Sequence, residues 1–474
     1  MHPFLRLNRL LFVWFLPLVA CEPPLDTRTA FLVDTLIQAD RDLIQTRPTL
    51  VSQKYQAMAS GLQPFLRGTA AAFYRDLSRY QGPSAEFPHG PLAEHIQLYG
   101  DIHLENLGVT FDARGVLFDV VDFDATQKGP FGYEIRRAAL SLRAALSLSA
   151  QPEETLDAVV LHLGNAYART LAARSDLTDT PPLELRETTP EAGRVVADLL
   201  ADGRKRNDQQ EELSQYTETE NGTRKLRRNE DLVDLQEPFR NAIPELLSQY
   251  RTTRWAGSGD DSQFHILDAA QRLNAGVASL PNLRFWVLMS GPNPNGAGAK
   301  TGKTGTPEPE WIVEWKEERD PPFPLLWMGR GPIGRNEERV FAGARLLLAG
   351  VGSEQDLGSA FLGNISFLVR RVLRGRRDLD VEKLTERILS GRYSTQDLLD
   401  LGNAIGILLA NGHARSGHSQ ALKHLVWGSD EGASFVQLLT EKSRADLDRL
   451  SRDFLLFQEA LHRLGPLLGA RQDL

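Results

Sequence analysis

The sequence predicts an α+β protein in which a β-rich segment, residues 260–375, is set between two mostly helical ones, 31–255 and 376–474. Three observations point there. Apolar residues recur three to four apart from Thr27 to Tyr80 (Phe31, Leu32 and Leu36, then Tyr55, Met58 and Leu62), the period of a helix with one buried face. The period shortens to that of strands in Leu107–Phe111 and Val116–Val121, and again between Phe264 and Arg371. Helical spacing then returns from Val381 onward. At roughly 150 residues per domain, the 474 residues allow about three units or one large two-lobed enzyme.

Taken in order, the first strand pair is closed by the turn Asp112-Ala113-Arg114-Gly115, whose residues favour tight reversal. Helices are expected over Tyr133–Leu148 and Glu153–Ala173. Residues 202–230 are strongly charged and read as a solvated helix or a mobile flap. Strands are expected at Leu283–Met289 and Trp311–Trp315, separated by the Gly/Pro/Thr loop 291–309, then a helix at Arg339–Leu348 and a strand at Ile365–Val372. There is no internal repeat.

Composition excludes several classes. Lys and Arg number 54 against 62 Asp and Glu, a formal charge of −8, and no basic block supplies the face that nucleic acid requires. A single cysteine excludes a disulfide framework, a thiolate metal cage and a CxxC redox pair. There is no HExxH and no GxSxG.

That cysteine, Cys21, closes an N-terminal stretch with three parts: Arg6 and Arg9, the apolar run Leu10–Leu18, then Leu18-Val19-Ala20-Cys21. The run is too short to span a bilayer but has the length of a signal-peptide core. Leu18–Cys21 resembles the lipobox of bacterial lipoproteins. That resemblance implies cleavage after residue 20, lipid on Cys21, a tether over 21–30, and export to the periplasmic face, with the outer membrane preferred because Glu22 is not the aspartate of inner-membrane retention.

The densest chemical signal is Gly100-Asp101-Ile102-His103-Leu104-Glu105-Asn106, followed by the strand pair and Asp122-Phe123-Asp124. Phosphoryl transfer needs a carboxylate at the acceptor hydroxyl, and an amide oxygen plus a second carboxylate to hold Mg²⁺ against phosphates. The plainer alternative is that these acids cap turns and pair with Arg136 and Arg137. A relaxed phosphate-loop pattern at Ala297–Thr304 is a decoy, because Gly305-Thr306-Pro307-Glu308-Pro309 and a strand follow it rather than a helix.

Gly100-Asp101-x-His103-x-x-Asn106 is similar to the GDxHxxN loop of aminoglycoside- and choline-type kinases in the protein-kinase-like superfamily. More closely, PFLRG from Pro64, GDIHLENLG from Gly100, VVDFDATQKGP from Val120, RRAALSL from Arg136 and GHARSG from Gly412 resemble the bacterial family catalogued as domain of unknown function 2252. The resemblance implies a bilobal protein-kinase-like fold. Asp101 would be the base and His103 the brace of its loop. Asn106 and Asp122 would be metal ligands, with Asp124 as understudy. It also implies a small lobe whose Gly276 and Ser279 lie near phosphates, with Lys316 on a strand and Glu338 on the next helix.

Because 260–375 follows the loop 99–124, the lobes would be exchanged along the chain, a circular permutation, with the helix bearing Gly412-His413 feeding back towards Asp101. The implied cofactors are Mg²⁺ and a nucleotide triphosphate such as ATP, and the implied partner is a small-molecule or envelope acceptor. Ala278 and Pro281 stand where that turn would carry further glycines, which favours the alternative of a non-catalytic binding lipoprotein.

Overall fold

The computed structural model describes residues 25–79, 96–112, 114–176, 182–254, 264–291, 310–322, 335–348, 356–427 and 432–470. Cys21 and its flanks, and the loop Ala297–Thr304, lie outside these residues. Twelve strands are described: β1 (Ile96–Leu98), β2 (Leu107–Asp112), β3 (Gly115–Val120), β4 (Gln127–Gly129), β5 (Thr217–Glu220), β6 (Thr223–Leu226), β7 (Leu232–Asp234), β8 (His265–Arg272), β9 (Arg284–Ser290), β10 (Glu310–Glu318), β11 (Gly358–Leu362) and β12 (Ile365–Arg371). Helices carry most of the remaining described chain, so the mixed α+β class holds.

Six strands form one antiparallel sheet in the order β11-β12-β10-β9-β8-β7. Period-2 alternation sorts its residues into two faces. Phe285, Val287, Met289, Trp311, Val313 and Trp315 bury one face against the helix Phe239–Thr253. The opposite face is apolar at one end, where Trp286, Leu288 and Ile312 pack with Leu213 and Leu226. Its other end is charged. Lys316 lies opposite Arg284, and Glu314 opposite Arg370 and Trp286. This charged end faces the helical part of the molecule.

The segment that covers the apolar end corrects an expectation. Residues 202–230 are neither one helix nor a loose flap. The helix Gln209–Tyr216 is followed by the hairpin β5–β6, and Leu213 and Leu226 are buried on the sheet. Asn221 and Gly222, with φ of 50° and 80°, form the turn. Positive φ at both central residues is what a two-residue hairpin demands, and Asn-Gly supplies it cheaply.

The helical body joins distant parts of the chain. Helix Glu153–Asp176 packs on Thr395–His413 so closely that a Cβ on Gly406 would stand 2.3 Å from the Leu163 carbonyl oxygen. A second core joins helices between residues 27 and 79 to the C-terminal helix Ala433–Leu464, with Tyr55, Phe65 and Phe457 in aromatic contact. Among the described residues no helix is long and apolar enough to cross a membrane.

Candidate functional site

Between the charged end of the sheet and the helical body lies a cleft of about 1040 Å³. Asp101, His103, Asn106, Asp122 and Asp124 line it from one side, and Gly276, Ser279 and Glu314 from the other.

The loop before β2 is held by buried polar bonds. Tyr99 and Gly100 donate their backbone N–H groups to the two oxygens of Glu134, at 3.1 and 2.6 Å. Glu134 also meets His413 Nε2 at 2.7 Å, and His413 Nδ1 meets the Tyr167 hydroxyl at 2.8 Å. All three of these side chains are buried. The helix bearing Gly412-His413 therefore returns to the loop of Asp101, and Gly412 is needed there because a Cβ would stand 2.4 Å from the Tyr99 hydroxyl. Gly100 has φ of 94°, with the Ala125 carbonyl 1.9 Å from where a Cβ would be. Only glycine fits such a position.

Further bonds set the acids in relation to one another. Asn106 donates its amide Nδ2 to the Asp101 carbonyl at 2.9 Å, and its own carbonyl accepts from Val121 N at 2.8 Å. The residue before Asp122 is thus tied to the residue five after Asp101. Arg137 Nε donates to Asp101 at 3.0 Å, and its Nη2 donates to the Leu66 carbonyl at 2.7 Å. Of the two arginines weighed as structural partners, Arg137 pairs with Asp101 while Arg136 pairs with Asp446 at 2.7 Å.

Lys316 reaches across from β10. Its Nζ lies 3.0 and 2.9 Å from the two oxygens of Asp122 and also contacts Asp124. Burial opposes ionisation of Asp122, but the Lys316 ammonium, the hydrogen bond with Asp124 and the Arg370 charge together outweigh it and hold the carboxyl far below the usual carboxylate range. Asp124 moves the other way, pushed up by burial and by the Asp122 charge beside it. Burial likewise pushes up Asp101 against Arg137, and burial with the nearby Arg67 and Arg137 drives His103 well below its ordinary value, so its ring is neutral. Burial is outweighed at Glu314, where Arg284 and Arg370 hold the carboxyl at about 2.

The remaining anticipated residues are placed as follows. Gly276, with φ of 77°, turns the chain before Ser279, whose Oγ accepts from Arg284 Nη2 at 2.9 Å. Glu338 is exposed on helix Asn336–Leu347 and is not among the ion-pair partners of Lys316; its neighbour Glu337 is the buried one. Among the described residues no group of three or more His, Cys, Asp or Glu is arranged to hold a metal ion. Asp122, Asp124 and Asn106 line the same cleft, their side-chain oxygens are of the kind Mg²⁺ takes, and the two carboxylates share the Lys316 ammonium there. Sequence reasoning missed Glu134, although it stands two residues before the quoted Arg136.

These features define an α+β protein with a charged cleft between a sheet and a helical body. The chain belongs to a family described as uncharacterised proteins conserved in bacteria, domain of unknown function 2252, whose profile matches residues 46–460. No curated protein and no solved structure matches it.

Proposed function

We propose that the chain is a kinase-like phosphotransferase that moves a phosphoryl group from a nucleotide to a small-molecule or envelope acceptor, on a bilobal, circularly permuted protein-kinase-like fold. One observation carries the reading. Asp101, Asn106, Asp122 and Asp124 converge in one cleft with Lys316, which is 194 positions away from Asp122 in sequence. Such a set is what positioning and charge neutralisation of a transferring phosphoryl group require. Asp101 accepts the acceptor's hydroxyl proton, and its raised affinity for protons suits a base. Asn106, Asp122 and Asp124 would hold Mg²⁺, which supplies neutralisation of phosphate charge. Lys316 is the cation that would turn to the phosphates. The strand order supports the permuted lobe: β8, β9 and the lysine-bearing β10, then helix Asn336–Leu347, then β11 and β12.

A second reading, a non-catalytic binding protein on the same scaffold, is favoured by the full engagement of Lys316 with Asp122 and Asp124 and by Ala278 and Pro281 in the turn. Thermal melting with ATP, GTP or ADP, with and without Mg²⁺, separates these. A ligand at a hundredfold over its dissociation constant adds about 2.7 kcal/mol. A Mg²⁺-dependent rise in melting temperature that Asp122→Ala removes supports the first reading. Absence of any nucleotide effect rejects it. The lipoprotein reading, a lipid anchor on Cys21 and an exported address, is tested by Cys21→Ser, expected to move the protein from the membrane fraction to the soluble one.

A further inference from the structure

Two of the family-like stretches, PFLRG and RRAALSL, have so far only a supporting part in the proposed chemistry. Both converge on Asp101. Arg137, fully buried, holds the Asp101 carboxylate and lies over the Phe73 ring at 5.3 Å. Arg67, next to the Leu66 carbonyl that Arg137 bonds, reaches Glu105 at 3.1 Å and so sits over the loop 101–106. His103, 5 % exposed, lines the cleft beside them.

Each of these three side chains keeps a buried nitrogen without a hydrogen-bond partner: Arg67 Nε, His103 Nδ1 and Arg137 Nη1. Folded proteins leave few such atoms, and each calls for an occupant. A lone atom is satisfied by a water. Arg67 and His103 line the cleft and Arg137 stands behind the Asp101 carboxylate, so the unpartnered nitrogens, two of them on guanidinium groups, make a cradle for oxygen acceptors. A cationic acceptor would meet two guanidinium groups there.

We infer that Arg67 and His103, backed by the buried Arg137, form the acceptor subsite, and that it takes a hydroxyl compound bearing a carboxylate or phosphate, the anion on the cradle and the hydroxyl at Asp101. This rests on the phosphotransferase reading for the role of the hydroxyl, but binding of the anion stands apart from it. In transfer, the hydroxyl oxygen forms the new bond to phosphorus, the bond from phosphorus to the nucleotide's bridging oxygen breaks, and the hydroxyl proton goes to Asp101.

Arg137 is central to the fold, so the variants are Arg67→Gln and His103→Gln, each checked for an unchanged far-ultraviolet spectrum. Calorimetric titrations of the full chain use glycerate, glycerol 3-phosphate, glycerol and ethanolamine. Glycerate or glycerol 3-phosphate is expected to bind, the better of the two identifying the anion, while glycerol and ethanolamine do not. Either variant should weaken that binding by about tenfold or more. Asp122→Ala, which removes the expected metal ligand and a negative charge beside His103, should not weaken it. Binding that is lost in Asp122→Ala but kept in Arg67→Gln and His103→Gln would place the anion elsewhere and overturn the subsite. So would preference for ethanolamine, or no binding of either anion, which leaves water as the occupant. Anion binding by a protein that ignores every nucleotide would keep the subsite and sink the phosphotransferase reading.

Discussion

The two walls of the cleft are built to different standards. On the helical side, the loop of Asp101 is fixed by the chain Tyr167–His413–Glu134, by Arg137, and by glycines with no room for a Cβ. On the sheet side, the turn before β9 is mostly half-exposed and rests on short local bonds, Leu280 N to the Val277 carbonyl at 3.2 Å and Asn282 N to the Ser279 carbonyl at 3.0 Å. Buried polar networks fix geometry, whereas exposed turns tolerate change. The helical wall is thus constrained to a single geometry, and the sheet wall is adjustable.

The largest effect should come from the constrained wall. On the phosphotransferase reading, Asp101→Asn keeps the shape and the bond from Arg137 but removes the proposed base, so turnover should fall by about 10²–10⁴-fold with nucleotide binding retained. A steady-state assay alongside melting curves checks this, and undiminished turnover would remove Asp101 from its role.

Next is Glu134→Ala. It leaves the N–H groups of Tyr99 and Gly100 and the His413 ring without their acceptor in a buried setting. The expected loss is about 3 kcal/mol in denaturant titration. Hydrogen exchange should show the loop 99–106 opening before the sheet does. Equal loss of protection in both walls would erase the contrast drawn above.

A smaller effect comes from Glu212, buried on the helix Gln209–Tyr216, where its carboxylate accepts from Arg374 N at 2.9 Å. Burial raises its pKa from 4.5 to about 7, with the Arg374 N–H and the charges of Arg371 and Arg376 only partly offsetting the rise. A raised carboxyl is more protonated in the folded state than in the unfolded one. The stability it contributes is therefore fully present below pH 4.5 and is lost as pH rises through about 7. The loss should not exceed ~3 kcal/mol. Glu212→Gln should flatten that part of the pH–stability curve, and a wild-type curve already flat there would contradict the assignment.

How much of this was legible in sequence follows the same divide. The loop motif, the strand pair and Asp122 are adjacent in the chain, so spacing alone carried them. Lys316 was legible as a strand lysine, but its engagement with both Asp122 and Asp124 depends on how a sheet meets a distant hairpin. Glu134 and His413 are 279 positions apart, and no period or local signal links them. The Asn221-Gly222 turn did carry a local signal, and dense charge in the surrounding segment masked it. Glu338 illustrates the limit of helical counting: one position decides which of two adjacent glutamates is buried, and here it is Glu337.

The smallest change tests the adjustable wall. Gly276 has φ of 77°, and a Cβ there would lie 2.7 Å from Ser279 Oγ. Gly276→Ala should therefore cost about 1 kcal/mol of stability, whatever the turn does. If the turn serves only the fold, nucleotide affinity should follow that small loss and barely move. If it lies against phosphates, the added methyl group and the displaced Ser279 hydroxyl should weaken Mg²⁺–nucleotide binding well beyond what stability explains. Parallel melting and calorimetric titration of the one variant read both quantities. Disproportionate loss of affinity would show that the turn keeps a phosphate-covering role despite Ala278 and Pro281. Proportionate loss would leave the phosphates to Lys316 and to Mg²⁺ held by the acids of the opposite wall.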